Sequence, residues 1–204
     1  MGVLSRRSPF KARLLGGTSN IKKYAPQFDG LTQYARLESR AIDPDADIDI
    51  EFWTPTNGGI KTIIYQGSGV SNLTDNDIWL LRNGNNIEFR CCGATRSLGS
   101  LPEGKKFRLT LIGTNLTLKD SNDVIINSWV FNRGAYRSVN PVTLVGARLS
   151  GASCVNLFEG KIPNININNL YYAMDKVGQS VQPSAPPGND LTIINHTNAM
   201  WVEV

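Results

Sequence analysis

The sequence has one histidine, three cysteines and few aromatic residues, and each shortage argues against a class of function. His196 lies near the end of the chain, so a serine or cysteine triad would have to be built around a terminal residue. Cys91, Cys92 and Cys154 form no Cys-x-x-Cys pair and no zinc-like Cys/His spacing, which predicts reduced thiols. Aromatic residues make up 8% of the chain, whereas sugar-processing clefts usually need several stacking rings.

Long apolar runs and a secretory leader are also missing. No apolar stretch approaches the ~18 residues that a membrane span requires. Arg6 and Arg7 could begin a leader, but Pro9, Lys11 and Arg13 interrupt any apolar stretch behind them. We therefore expect synthesis in a cytoplasm, no export by the usual secretory route and no membrane insertion.

Acidic residues are absent from the first 28 positions, and the first acid is Asp29. The same segment holds six bases: Arg6, Arg7, Lys11, Arg13, Lys22 and Lys23. The remaining 15 basic and 17 acidic residues leave the body with a net charge of −2. A basic arm on an acidic body predicts contact with an acidic partner surface, and a solvated chain end is the alternative. We expect Arg6, Arg7, Lys11 and Arg13 to anchor the chain to another protein, with no nucleic-acid partner.

Alternation of apolar and polar residues dominates the rest of the chain, and no amphipathic helix stands out. Residues 46–53 alternate strictly, which predicts a half-buried strand. Its inward face consists of Ile48, Ile50 and Phe52, and its outward face of Asp47, Asp49, Glu51 and Trp53.

Turn residues separate the other predicted strands. Asn83-Gly84-Asn85 and Gly113-Thr114-Asn115 each predict a hairpin, since Asn and Gly tolerate positive φ. Strands are predicted at 61–66, 77–82, 86–92, 106–112, 116–119, 124–131, 142–147 and 162–168. Short strands at this spacing predict an all-β, two-sheet antiparallel sandwich.

The predicted organisation has four parts. They are a basic arm (1–23), a β-sandwich (24–176), a proline-rich linker (177–188) and a C-terminal β tail (189–204). Within the tail, 190–195 and 200–204 are predicted to form a terminal hairpin or an added strand pair.

Three segments together resemble the laminin G-like branch of the concanavalin A-like lectin/glucanase superfamily. They are Asp47–Thr54, Leu101–Leu111, and the succession of Val142–Ala147, Phe158–Ile162 and Ile165–Ile167. The resemblance implies a jelly roll of two antiparallel sheets. Members of the superfamily bind sugars, proteins or lipids, and many only assemble larger structures, so the fold does not decide the function.

One motif in the first segment resembles the catalytic strand of family-sixteen glucanases. Asp47-Ile-Asp-Ile-Glu-Phe52 matches five of six residues of Glu-Ile-Asp-Ile-Glu-Phe, with a shorter acid in the place of the nucleophile. A half-buried strand with an acidic outer face explains the same residues. We therefore predict no enzymatic activity and keep a glucanase as the second alternative.

Asp120, Asn122 and Asp123 are the weak candidates for a metal. The resemblance implies that calcium can bind at a sandwich rim, whereas turn formation explains an Asp-Ser-Asn-Asp sequence equally well. No cofactor is predicted, although calcium stays possible.

These observations together predict a non-enzymatic virion protein, a phage adhesin or decoration subunit with a lectin-like domain. Residues 189–198 followed by Trp201 also resemble segments of phage tail-fibre and capsid-associated proteins. The expected partners are other virion subunits, further copies of the chain and a host-surface glycan. Asp47, Asp49, Glu51 and Trp53 are the candidate ligand-binding residues, since carboxylates accept sugar hydroxyls while a Trp ring packs on the sugar. A structural role for Trp53 at the sandwich edge, and a free carbohydrate-binding lectin, are the alternatives.

Overall fold

A computed structural model describes residues 24–37, 45–56, 59–69, 77–138, 142–162, 164–167, 170–173, 180–181 and 191–203. The predicted arm, residues 1–23, lies outside the described residues, and so does the predicted linker apart from Ser180–Val181. The division into arm, sandwich, linker and tail therefore stays a prediction.

The described residues form strands joined by turns and irregular segments, with a single 3₁₀ turn at Asn198–Met200. In chain order the strands are β1 (Tyr24–Asp29), β2 (Tyr34–Leu37), β3 (Ile48–Trp53), β4 (Ile60–Gly67), β5 (Ile78–Asn83), β6 (Asn86–Cys91), β7 (Ala94–Ser100), β8 (Lys106–Ile112), β9 (Asn115–Lys119), β10 (Ile125–Val130), β11 (Val142–Val145), β12 (Arg148–Ser150), β13 (Ser153–Val155), β14 (Glu159–Lys161), β15 (Asn164–Ile167), β16 (Leu170–Ala173), β17 (Ser180–Val181), β18 (Leu191–Ile194) and β19 (Trp201–Glu203). No helix in this part of the chain is long and apolar enough to cross a membrane.

Two large sheets make the sandwich. One has six strands in the order β10-β9-β8-β3-β15-β16, and the other has eight in the order β17-β18-β2-β11-β4-β5-β6-β7. A three-stranded sheet, β14-β1-β19, and the β12–β13 hairpin complete the described strands. Every strand pair is antiparallel, which confirms the predicted fold class.

The core lies between the two large sheets and is supplied by alternate residues of their strands. Ile48, Ile50 and Phe52 of β3 are fully buried and belong to the same cluster as Leu80 of β5 and Phe89 of β6. Each buried aliphatic or aromatic side chain contributes about 1.5–3 kcal/mol relative to an exposed one. The apolar period of two therefore determines which face of each strand turns inward.

Both predicted hairpins are present. Gly84 and Gly113 have φ values of 59° and 56°, the left-handed conformation that these tight turns require. They connect β5 to β6 and β8 to β9, whose pairing runs from the turn outward.

A second apolar cluster lies on the other face of the eight-stranded sheet. Tyr65, Trp79, Leu81, Leu144 and Ala147 are its buried members, and Leu149 of β12 and Cys154 of β13 pack against it. The guanidinium carbons of Arg90 and Arg148 also lie over the Trp79 ring, at 5.0 and 4.8 Å from its centroid. The β12–β13 hairpin therefore covers this part of the sheet.

The two C-terminal strands do not pair with each other. β18 pairs with β2 in the eight-stranded sheet, and β19 pairs with β1 in the three-stranded sheet. The terminal hairpin is therefore wrong, and the alternative of added strands describes this segment. Pairing with strands near residue 30 buries Leu191, Ile193 and Trp201, which a lone hairpin would leave exposed.

Candidate functional site

The four residues predicted to bind a ligand lie on the outward side of the six-stranded sheet or just before β3. Along β3, buried Ile48, Ile50 and Phe52 alternate with half-buried Asp49, Glu51 and Trp53, and Asp47 precedes the strand. The shared face was predicted from the alternation. The neighbours that the carboxylates meet there come from other strands.

Asp49 forms the best-defined ion pair of this face. The guanidinium of Arg108, on the neighbouring strand β8, donates from Nε to Oδ1 at 2.8 Å and from Nη2 to Oδ2 at 2.6 Å. Its Nη1 donates to Asp123 at 3.2 Å. The charge-assisted hydrogen bond to Asp49 raises the pKa of Arg108 above its usual range, so Arg108 stays charged.

The other two acids also have partners. Oε2 of Glu51 lies 3.2 Å from Nζ of Lys106. Asp47 accepts a hydrogen bond of 3.0 Å from the backbone N–H of Gly113. Asp49 and Glu51 therefore connect β3 to β8, and Asp47 connects the segment before β3 to the turn after β8. Their partly exposed oxygens can still accept further hydrogen bonds.

Trp53 has a different environment, because two lysines flank its half-buried ring. The ammonium of Lys106 lies 5.7 Å from the ring centroid, and that of Lys161, on β14, lies 5.6 Å away. Both distances are within the range in which a cation is attracted to an aromatic face. Positive charge from both lysines thus lies over the Trp53 ring.

A cavity of about 290 Å³ opens beside this ring, and we call it the Trp53 cavity. Its lining residues are Gln27, Trp53, Thr54, Thr56, Gly104, Glu159, Gly160 and Lys161. They come from β1, from the end of β3, from the turn before β8 and from β14. The hydroxyl of Thr56 lies 3.2 Å from Oε2 of Glu159, which joins two sides of the cavity.

Thr54 fixes one wall of the Trp53 cavity. Its hydroxyl donates to the carbonyl oxygen of Pro102 and accepts from the backbone N–H of Lys105 at 3.2 Å. Its backbone N–H donates to the Lys105 carbonyl at 2.9 Å, and its carbonyl accepts from the N–H of Gly104 at 3.0 Å. A buried side chain with both hydroxyl functions satisfied holds the 102–105 turn against the end of β3.

Gly160, on β14, also lines the cavity. Its φ is +151°, and a Cβ atom at this position would lie 2.6 Å from Cζ of Phe158. Only glycine therefore fits between Glu159 and Lys161 without a shift of the buried Phe158 ring. The register of β1 and β14 places Gln27 opposite Lys161.

Several lining residues of this cavity were not predicted. Gln27, Glu159 and Lys161 reach the cavity from the paired strands β1 and β14, and Thr56 follows Trp53 in the chain. Residues 158–162 carried a signal, since this segment supported the resemblance that predicted the fold. The sequence did not indicate that its Glu and Lys would lie beside Trp53.

The calcium candidates organise a turn. Oδ1 of Asp120 accepts the N–H of Asn122 at 2.8 Å and that of Val124 at 3.0 Å. Asp123 adopts a φ of 61° and pairs with Arg108. The described residues contain no cluster of three or more His, Cys, Asp or Glu side chains that could hold a metal ion. The anchoring residues Arg6, Arg7, Lys11 and Arg13 lie outside the described part of the chain.

The sequence matches no protein-family model and no curated protein. Its structure is similar to a candidate carbohydrate-binding protein from Bacteroides ovatus, with a TM-score of 0.59, 10% identity, and coverage of 90% of this chain and 60% of that one. A heptameric SAP-like pentraxin from Limulus polyphemus gives a TM-score of 0.52 at 8% identity, over 72% of this chain and 76% of that one. Domains LG4-5 of the mouse laminin α1 chain give a TM-score of 0.50 at 15% identity, over 89% of this chain and 50% of that one. At these identities the likeness shows the fold alone, an antiparallel β-sandwich of the jelly-roll type.

Proposed function

We propose that this chain is a non-enzymatic carbohydrate-binding module and that the Trp53 cavity is its glycan site. The observation that carries the proposal is the placement of a half-buried Trp ring in an open cavity with Gln27, Glu159 and Lys161. The B. ovatus protein of the same fold, described as a candidate carbohydrate-binding protein, agrees with this proposal.

The chemistry of the cavity suits a sugar ring. The C–H face of a pyranose packs on an aromatic ring, while its hydroxyls exchange hydrogen bonds with side chains at the margin. Glu159 supplies acceptors, Lys161 supplies donors, and Gln27 supplies both. A cavity of this kind, apolar on one side with a few polar groups, is typical of small-ligand sites.

The site differs from the stripe of acids that the sequence indicated. Asp47, Asp49 and Glu51 engage Gly113, Arg108 and Lys106, which makes them supports of the β3–β8 pair. We propose that Trp53 alone of the four predicted residues stacks directly on the ligand.

Pairing of these acids also speaks against the glucanase alternative. A retaining glycosidase needs two carboxyls about 5–5.5 Å apart, one as nucleophile and one as proton donor. Here the two outer acids of the motif are engaged elsewhere, Glu51 by the ammonium of Lys106 and Asp47 by the backbone N–H of Gly113.

Binding of the purified protein to an array of neutral and acidic glycans tests the proposal. Trp53→Ala and Lys161→Gln should each abolish or strongly weaken retention of the bound glycan, with the melting temperature within a few degrees of the wild type. Lys119→Gln is the matched control, because Lys119 lies on the same sheet face opposite Arg108 and outside the cavity. Full binding by Trp53→Ala, or no retention of any glycan by the wild type, would overturn the proposal.

We further propose that the module belongs to a virion, as an adhesin or decoration subunit of a phage made in the host cytoplasm. What supports this is the charge asymmetry between residues 1–28, with six bases and no acid, and a body of net charge −2. Deletion of residues 1–23 should leave a protein that folds and binds glycan but no longer joins its assembly. Normal assembly by the truncated protein would show that the arm is no anchor and favour a free lectin.

A further inference from the structure

β10 is an edge strand that exposes large apolar side chains. It is the last strand of the six-stranded sheet, and among the described residues it pairs only with β9. The apolar residues exposed on or next to it are Val124 at 59%, Ile125 at 58%, Ile126 at 49% and Val130 at 70%. Ile112, on the same sheet face, is 62% exposed.

The outer edge of β10 lacks the charges and prolines that usually protect such strands. Residues 124–132 contain nine consecutive positions with no charge and no proline. An irregularity in the pairing between Ile125 and Asn127 is the one protective feature of the strand. Unpaired N–H and C=O groups beside apolar side chains form a template for another strand.

Strand register brings three of the apolar side chains to the same outward face. Ile125 lies opposite Lys119, Val130 lies opposite Asn115, and Asn115 lies opposite Ile112. Ile112 and Val130 therefore lie on either side of Asn115, in one row that crosses β8, β9 and β10. This row is at the margin of an otherwise polar face.

The charges at the two ends of β10 are opposite. Asp120 and Asp123 precede the strand, and Asp123 is exposed beside Arg108. Arg133 follows the strand and donates to the backbone carbonyls of Asp45 and Ala46, whereas Arg137 beyond it forms an ion pair with Asp45 at 2.7 Å. The charge at this end is therefore that of Arg133. In an antiparallel pair of two such strands, the basic end of each strand would lie beside the acidic end of the other.

We propose that β10 pairs with β10 of a second copy of this chain, antiparallel and about a two-fold axis. The two six-stranded sheets then form one continuous sheet. The exposed apolar side chains of β10 in each copy are covered by those of the other copy. A two-fold contact is self-complementary, so uncharged centres meet and opposite charges meet at both ends. This inference is independent of the proposed glycan site, which lies at β1, β3 and β14.

Sedimentation equilibrium of the full chain over a wide concentration range tests the dimer. The wild type should reach a dimer and no higher species. Ile125→Lys places a charge among the apolar side chains of the contact, near one end of β10, and should weaken dimerisation at least tenfold. Because Ile125 is exposed, this variant should keep its fold, which its circular dichroism and its melting temperature check.

Leu31→Lys is the matched control, since Leu31 is 75% exposed in the turn between β1 and β2 and should leave the dimer unchanged. A wild type that stays monomeric at all concentrations overturns the proposal, and so does a dimer that Ile125→Lys does not weaken. A full-length monomer that dimerises only after removal of residues 1–23 also overturns it, because the arm would then be the occupant of the β10 edge.

Discussion

Arg108 and Asp49 form a two-point contact across strands β8 and β3, with N–O distances of 2.8 and 2.6 Å. A planar guanidinium matched to a carboxylate in this way fixes both side chains at once. The contact explains why an acidic strand lies stably in the middle of a sheet. The acid therefore supports the sheet, and the ligand contact predicted from the sequence stays a prediction.

Replacement of Asp49 by Asn should lower the free energy of unfolding by about 1 kcal/mol, because a charge-assisted pair at a half-buried position is lost. Asp123→Asn is the control: this acid contacts the same arginine at 3.2 Å from a more exposed position, and its loss should cost about half as much or less. Urea unfolding of both variants measures the difference. Equal losses would contradict the role given to Asp49.

The alternation in residues 46–53 predicted the inward and outward faces of β3, and the Asn-Gly turn predicted the β5–β6 hairpin. Both depend on local physics, a side-chain period of two and a backbone that accepts positive φ. Contact of Lys161 with Trp53 depends on the pairing of Gln27 with Lys161. No local pattern encodes such a distant pairing, so the cavity could not be predicted.

Strand β7 was not predicted either, because its local sequence has no clear strand pattern. Its segment, residues 94–100, has one buried apolar side chain, Leu98, and three small residues, Ser97, Gly99 and Ser100, that weaken any strand pattern. Pairing with β6 stabilises this strand, since six residue pairs join β6 and β7. β12 and β13 are three residues each, too short for alternation to identify.

Gly160→Ala should destabilise the protein by about 2 kcal/mol and weaken glycan binding, because the added methyl group displaces the Phe158 ring. Gly99→Ala is the matched control. Gly99 also has a positive φ, +91°, but an added Cβ there meets no atom within 4 Å. Thermal unfolding of the two variants therefore separates steric overlap from backbone strain. A melting temperature for Gly160→Ala equal to that of Gly99→Ala would refute the steric account.

The carboxylate of Asp29 should titrate at an unusually low pH. Partial burial raises its pKa, but hydrogen bonds from the backbone N–H groups of Thr32, Gln33 and Leu31 and from the Thr32 hydroxyl outweigh this effect and lower the pKa to about 2. The folded pKa lies below the ordinary value of 3.8, so the stabilisation is complete above about pH 4 and is lost as the pH falls towards 2.

Carbon-detected NMR titration of the carboxyl group measures the pKa directly. In unfolding experiments, the stability difference between the wild type and Asp29→Asn should shrink as the pH falls from 4 to 2. Thr32→Val, which removes the single side-chain donor, should raise the pKa only in part. An Asp29 carboxyl that titrates near 3.8 in the wild type would exclude the proposed hydrogen-bond arrangement.

The glucanase-like motif should be inactive, even when it is completed. Purified wild type and Asp47→Glu, which restores all six residues of the motif, should release no reducing sugar from mixed-linkage or β-1,3-glucans. Residues i and i+4 of a strand lie roughly 13 Å apart at the backbone, and here their carboxylates are directed to Gly113 and Lys106. Only release that disappears in Glu51→Gln would count against this expectation, since contaminating hydrolases survive that substitution. Such a result would make Glu51 a catalytic residue and would remove the argument for a binding module.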